Sequence, residues 1–142
     1  MILCPSNEVM FVTLLYDEQT YSVDYQTPDS AATATAMLCG EKTNNDVIAA
    51  NQNTTLDDCA SQIGNEIPSI LTHALNAGKR TGVVTTARLT HASPAVTFAH
   101  AANRGWEADS DLPPSAVGVC PDIASQFIDT EVNRGINVNT SI

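Results

Sequence analysis

The stretch that most constrains this chain is Pro28-Asp29-Ser30, followed by Ala31-Ala32-Thr33-Ala34-Thr35-Ala36-Met37-Leu38 and then Gly40. The run is too small and too rich in alanine for a strand, and alanine is the best helix former. Gly40 stands where a helix C′ residue adopts left-handed backbone. Pro28 disfavours helix at Thr27 and can itself precede a helix start. Upstream, Tyr21-Ser22-Val23-Asp24-Tyr25 alternates apolar and polar residues, the pattern of a half-buried strand. The expectation is therefore strand, sharp turn, helix, with Ser30 on the turn. A helix start offers unpaired N–H groups and the positive end of the helix dipole, which together favour a phosphate. The plainer reading of Ser30 is an N-cap serine. No G-x-S-x-G elbow is present, so an ordinary α/β-hydrolase triad has no support.

Further along, Met10 to Leu15 forms a single strand-like run, and residues 41–62 are polar and Asn-rich, suiting surface loop with a turn of helix. Ile67, Ile70, Leu71, Ala74 and Leu75 recur on one helical face, with Asn65 as a cap, Pro68 in the first turn and Gly78 at the end. Residues 81–86, Thr-Gly-Val-Val-Thr-Thr, suit a buried strand. Pro94 opens a helical stretch through Asn103, and residues 122–129 suit a shorter helix. His73 and His100 fall within helical runs, where packing accounts for them better than ligation. Strands alternating with helices argue for an α/β fold with a partly parallel sheet, in one domain without internal repeats.

Composition narrows the function classes. The chain has 142 residues, of which 6 are basic and 16 acidic, for a net charge of -10. So few scattered cations leave no footprint for nucleic acid, and they argue equally against an anionic membrane surface. The apolar patch from Val9 to Leu15 is far shorter than the ~20 residues of a transmembrane helix. No Lys or Arg precedes Lys42 to form a positive n-region, so no signal peptide is expected. The four cysteines, at 4, 39, 59 and 120, show no zinc-site spacing. They fit one long-range disulfide with leftovers, or buried thiols, and leave the compartment open.

Three ordered motifs carry a resemblance. Thr27-Pro28-Asp29-Ser30 with the alanine-rich run to Gly40 resembles the nucleophile segment of alkaline phosphatases. Residues 82–95, Gly-Val-Val-Thr-Thr-Ala-Arg-Leu-Thr-His-Ala-Ser-Pro-Ala, resemble that family's second active-site strand and loop. Phe98-Ala99-His100 and Asn103-Arg104 resemble its phosphate-clamping helix. The resemblance implies a three-layer α/β fold with a mostly parallel sheet, incomplete in this chain. It places a partial alkaline phosphatase domain at 21–137, with 1–20 and 138–142 unmatched.

The resemblance also implies roles. Ser30 would be the nucleophile that takes the phosphoryl group, activated as an alkoxide by zinc. Arg104 would grip two phosphate oxygens with its planar fork, a geometry lysine cannot copy. Ser93 would give its hydroxyl to magnesium, with His91 nearby in the surrounding shell. The family carries Asp or His at that position, and His adds no negative charge near the ion. Asp29 would orient Arg104 or the turn, whereas Arg88 matches no phosphate-binding position and reads as structural. Cys59 and Cys120 fall where animal-type members place a disulfide, Cys39 matches an unpaired position, and Cys4 has no assigned partner.

Residues 53–55 and 139–141 form glycosylation sequons, which matter only in a eukaryotic secretory route. Zinc and magnesium are the implied cofactors and small phosphate monoesters the implied substrates. A homodimer is implied for the full-length enzyme, and a periplasmic or extracellular location. The family's Gly-Asp-Gly-Met-Gly segment and its later Asp and His zinc ligands have no counterpart here. The expectation is thus a fragment of a metal-dependent phosphomonoesterase acting through a phosphoserine at Ser30, with the isolated chain inactive. The alternative is a non-catalytic, truncated phosphatase-like protein that binds phosphate or a partner.

Overall fold

The computed structural model describes residues 21–134 and 136–140. Its elements, in chain order, are α1 (Ser30–Cys39), α2 (Cys59–Gln62), α3 (Ile70–Asn76), β1 (Thr81–Thr85), α4 (Ala92–Ala95), α5 (Ile123–Arg134) and β2 (Ile136–Thr140). The expected run at Met10–Leu15 lies outside the described residues. A short 3-10 turn occupies Asp109–Asp111.

The alanine-rich helix forms as its composition dictates. It ends at Gly40, whose φ of 76° permits the left-handed cap, with the Gly40 N–H donating to the Ala36 carbonyl. Small side chains let α1 and α4 pack closely: Ala31, Ala34, Ala92 and Ala95 share one buried cluster with Ile48, Trp106 and Ile123. β1 and β2 pair in parallel, Val83 lying opposite Val138. Two isolated antiparallel bridges, Ile48 with Ala101 and Ala50 with Glu66, draw the Asn-rich loop into the core. Val47, Ile48, Ala49 and Ala50 are fully buried there.

Several expectations are corrected. No strand forms at Tyr21–Tyr25. The Ser22 N–H donates to the Tyr25 carbonyl, and the Ser22 hydroxyl accepts from the Tyr25 N–H, closing a tight bend. Burial there is inverted, with Ser22 buried while Tyr21 and Tyr25 are 61% and 60% exposed. The third helix starts later than its periodicity suggested. Ser69, not Asn65, is its N-cap, accepting from the Thr72 N–H and donating to the Thr97 carbonyl at 2.9 Å. Asn65 instead donates to the Ser61 carbonyl, and the Ile67 N–H is taken by the Ala49 carbonyl, so Pro68 precedes the helix.

The stretch from Pro94 to Asn103 is not one helix. α4 ends at Ala95, because the Thr97 hydroxyl closes onto the Pro94 carbonyl and the chain then extends into the bridge at Ala101. His100 therefore lies outside any helix, its Nδ1 2.7 Å from the Ala49 carbonyl. The helix expected at 122–129 runs longer, and Asp122 accepts from the Ser125 N–H and hydroxyl at its start. The 59–120 pair is a disulfide, with Cα atoms 6.0 Å apart, and Cys39 is free.

Candidate active site

Asp29, rather than Ser30, caps α1. Its carboxylate accepts from the Ala31 and Ala32 N–H groups, both at 2.9 Å, and its backbone is extended at φ -78° and ψ 178°. Ser30 is consequently the first helical residue. The expected set of free N–H groups at this helix start is thus largely occupied by a carboxylate of the chain itself. Ser30 is half-buried, and its hydroxyl has no protein partner among the described residues.

Arg104 reaches the same point from 75 residues along the chain, donating from Nη1 to Asp29 Oδ2 at 2.8 Å. Arg104 sits on a turn after the Ala101 bridge, not on a helix, and its own N–H donates to the Asp46 carbonyl at 2.7 Å. The Asp46 N–H in turn donates to Asp29 Oδ1. Asp46 thus fastens both partners through its backbone, with a φ of 63°. Sequence reasoning passed over Asp46. The Asn44-Asn45-Asp46 run was its only signal, since Asn and Asp are the side chains most at ease at positive φ.

The second Nη of Arg104 lies 3.1 Å from His91 Nε2. A guanidinium only donates, so His91 Nε2 accepts and the imidazole proton sits on Nδ1, which is buried without a partner. Arg104 is thereby braced between Asp29 and His91, with its remaining N–H groups free for an anion. Burial would by itself raise the Asp29 pKa. The N–H donors of Ala32, Ala31 and Asp46, together with Arg104, outweigh it and hold the carboxyl below its ordinary value. Asp46 is shifted upward by burial and by the neighbouring Asp29 charge.

Ser93 follows His91 by two residues, in the first turn of α4. It lines a cleft of about 190 Å³ with Met37 and Leu38 at the C-terminal end of α1. Arg88 does pair structurally. Its Nε and Nη2 donate to Glu107 at 3.1 and 2.7 Å, and the Thr90 hydroxyl donates to the same carboxylate. Sequence reasoning did not single out Glu107. Among the described residues no group of three or more His, Cys, Asp or Glu could hold a metal ion. Ser30 and Ser93 offer one neutral hydroxyl each, which does not fit zinc or magnesium without further ligands.

The alkaline phosphatase family model matches residues 8–138. This chain belongs to the alkaline phosphatase family. It is 46% identical over 112 residues to the tissue-nonspecific alkaline phosphatase of Gallus gallus, covering 78% of this chain and 22% of that protein. The human enzyme of the same name is 45% identical over 111 residues, covering 78% and 21%. The chain thus spans about a fifth of the length of the curated relatives it matches. Among solved structures, a mutant of TAB5 alkaline phosphatase with Mg bound in its M3 site superposes with a TM-score of 0.54. That match is 37% identical and covers 66% of this chain and 25% of the other. The alkaline phosphatase fold is therefore common to the described region and its relatives. The Asp29–Arg104 pair lies inside the matched span.

Proposed function

We propose that the whole protein to which this chain corresponds is a phosphomonoesterase acting through a phosphoserine at Ser30, and that this chain is a fragment of its catalytic domain, centred on residues 21–137. The observation that carries the reading is the Arg104 guanidinium held by Asp29 beside the helix start that Ser30 opens. A phosphate there meets the free edge of Arg104 and the Ser30 hydroxyl, while the Ala31 and Ala32 N–H groups stay with Asp29. The Ser30 hydroxyl loses its proton and forms an O–P bond, while the bond from phosphorus to the alcohol oxygen breaks and the alcohol leaves with a proton. Water then cleaves the phosphoserine, returning the serine and releasing inorganic phosphate. Asp29 and His91 keep Arg104 from folding onto solvent, so that its charge stays on the phosphate through both steps.

Zinc at Ser30 and magnesium at Ser93 would need further ligands from outside the described residues, and would then supply stabilisation of the charge on the transferring group. The mutant of TAB5 alkaline phosphatase with Mg bound in its M3 site supports that choice. Homodimer formation belongs to the same proposal. So does export to the periplasm or outside the cell, with which the Cys59–Cys120 disulfide accords. A second reading, phosphate binding without catalysis by this chain, is favoured by the lack of a metal-ligand group among the described residues.

One experiment tests what this chain does by itself. The 142-residue chain is titrated with inorganic phosphate by ³¹P NMR, and assayed on an aryl phosphate with Zn²⁺ and Mg²⁺. Binding that disappears in Arg104→Ala, without turnover, is the expected result. Turnover abolished by Ser30→Ala would make the chain catalytic on its own. Binding indifferent to Arg104→Ala would remove the site.

A further inference from the structure

The link between Arg88, Thr90 and Glu107 is unusual for a surface ion pair, because three donors from one loop converge on a single carboxylate. Arg88 donates through Nε and Nη2, and Thr90 through its hydroxyl. The Arg88 side chain is 68% exposed, but that of Glu107 only 24%. An exposed pair is worth little in isolation. What matters here is what the two ends are attached to.

Glu107 stands three residues after Arg104, on a segment fastened firmly to the core. The Arg104 N–H is bonded to the Asp46 carbonyl, and Trp106 is buried at 3% exposure. The carbonyls of Trp106 and Glu107 accept from the N–H groups of Ile123 and Ala124 at the start of α5, at 2.9 and 3.1 Å. The opposite end is a connector whose outer half lies at the surface, with Leu89 packed against the core cluster. Thr86, Ala87 and Arg88 are exposed, and the connector leads directly into His91. The His91 N–H donates to the Arg88 carbonyl at 3.0 Å, so the imidazole's position is referred to the residue that Glu107 grips. His91 in turn accepts from Arg104. Two cross-ties thus span the same gap, and the outer one fixes the loop from which the inner one is made.

We infer that Glu107 is a positioning residue for the phosphate grip: it clasps Arg88 and Thr90 so that His91 meets Arg104 and holds the guanidinium toward the start of α1. This deepens the phosphate reading of Arg104 and rests on it. Glu107 touches neither substrate nor reacting atoms. Its action passes through the loop to His91 and from there to Arg104. Loss of the clasp loosens the surface half of the connector, leaving Leu89 and α4 to hold it, and weakens the contact of His91 with Arg104.

The test compares the 142-residue chain with Glu107→Gln, Arg104→Ala and the double variant. The first readout is the ¹⁵N NMR signature of the His91 ring and the Arg104 guanidinium, which reports their hydrogen bond without any ligand. The second is affinity for inorganic phosphate, followed by ³¹P NMR. Glu107→Gln is expected to disturb the His91 and Arg104 signals. It is also expected to weaken phosphate binding by roughly two- to tenfold, the coupling usual within one hydrogen-bonded network. In the Arg104→Ala background, where phosphate binding is already lost, the same change is expected to leave the His91 ring signal where Arg104→Ala alone puts it.

An undisturbed His91–Arg104 signature in Glu107→Gln overturns the proposal. So does an equal displacement of the His91 ring signal with and without Arg104, which marks a role that does not pass to the guanidinium. If the parent chain binds no phosphate yet the signature responds to Glu107→Gln, the positioning role stands and the phosphate reading of this chain falls. Should Glu107→Gln lower the melting temperature too far to measure, Thr90→Val removes one donor of the clasp. A disturbed ring signature in that milder variant supports the role, and an unchanged one overturns it.

Discussion

Arg104 owes its orientation to three neighbours that are distant from it in sequence. Asp29 supplies charge, the Asp46 carbonyl holds the backbone and His91 accepts from the second Nη. Glu107, three residues on, carries the strongest electrostatic signature nearby. The bonds from Arg88 and Thr90 depress its pKa from 4.5 to about 2. A carboxylate depressed in the folded state contributes stability that is fully present above its unfolded pKa and is lost as pH falls through the folded one. Acid titration of the chain should therefore show stability draining between pH 4.5 and about 2. Glu107→Gln should flatten that portion of the curve, as denaturant melts at a series of pH values would show. Cys39 behaves oppositely. Burial, aided by the charge of Glu41, raises its thiol to about 11, so it is protonated at neutral pH. Iodoacetamide at pH 7.5 should label Cys39 far more slowly in the folded chain than in urea, with peptide mapping as the check.

At the scale of elements, the helices are set by their caps more than by their apolar faces. The face running from Ile67 to Leu75 is real, yet its helix begins only where Ser69 can both accept from Thr72 and donate to the Thr97 carbonyl. Ser69→Ala removes the cap and leaves that buried carbonyl without its donor. A loss of about 1–2 kcal/mol is expected by chemical denaturation, mostly from the cap. Ser69→Thr, which keeps the hydroxyl, should lose less. The same competition explains α4. Proline suits its first turns, but the Thr97 hydroxyl turns back to Pro94 and the chain leaves the helix to pair with Ile48. Arg104 consequently projects from a turn, and that is what lets it cross to the start of α1.

At the scale of the whole molecule, the longest covalent tie among the described residues is the disulfide between Cys59 and Cys120, 61 residues apart. It joins the helix after the Asn-rich loop to the segment just before α5, and both sulfurs lie in the buried cluster. Closing a loop of that length stabilises by about 4 kcal/mol on the chain-entropy account. Replacing both cysteines with alanine should lower unfolding stability by an amount of that order, measured in urea. A change within a few tenths of a kcal/mol would mean that packing alone holds the two segments together. The charge of -10 favours solubility but does not select a fold. Tyr21, Ile63 and Val117 remain about 60% exposed on the described surface.

The sequence by itself determined the helix from Ser30 to Cys39, the strand at 81–85 and the family, because these depend on local composition and on ordered motifs. From the motif match it also indicated the 59–120 bond, now seen in the structure. Local pattern misled where a long-range partner competed for the same backbone group. The alternation at Tyr21–Tyr25 yields to a serine-closed bend, and the periodicity at Ile67 yields to a bridge with the Asn-rich loop. The cap at Asp29 and its ion pair with Arg104 were decided only in three dimensions. A carboxylate next to a serine reads equally well as a turn residue until a guanidinium from 75 residues away arrives beside it. Tertiary structure alone brought His91 against Arg104 and Glu107 against the loop, since nothing in a linear spacing records which side chains share one end of a helix.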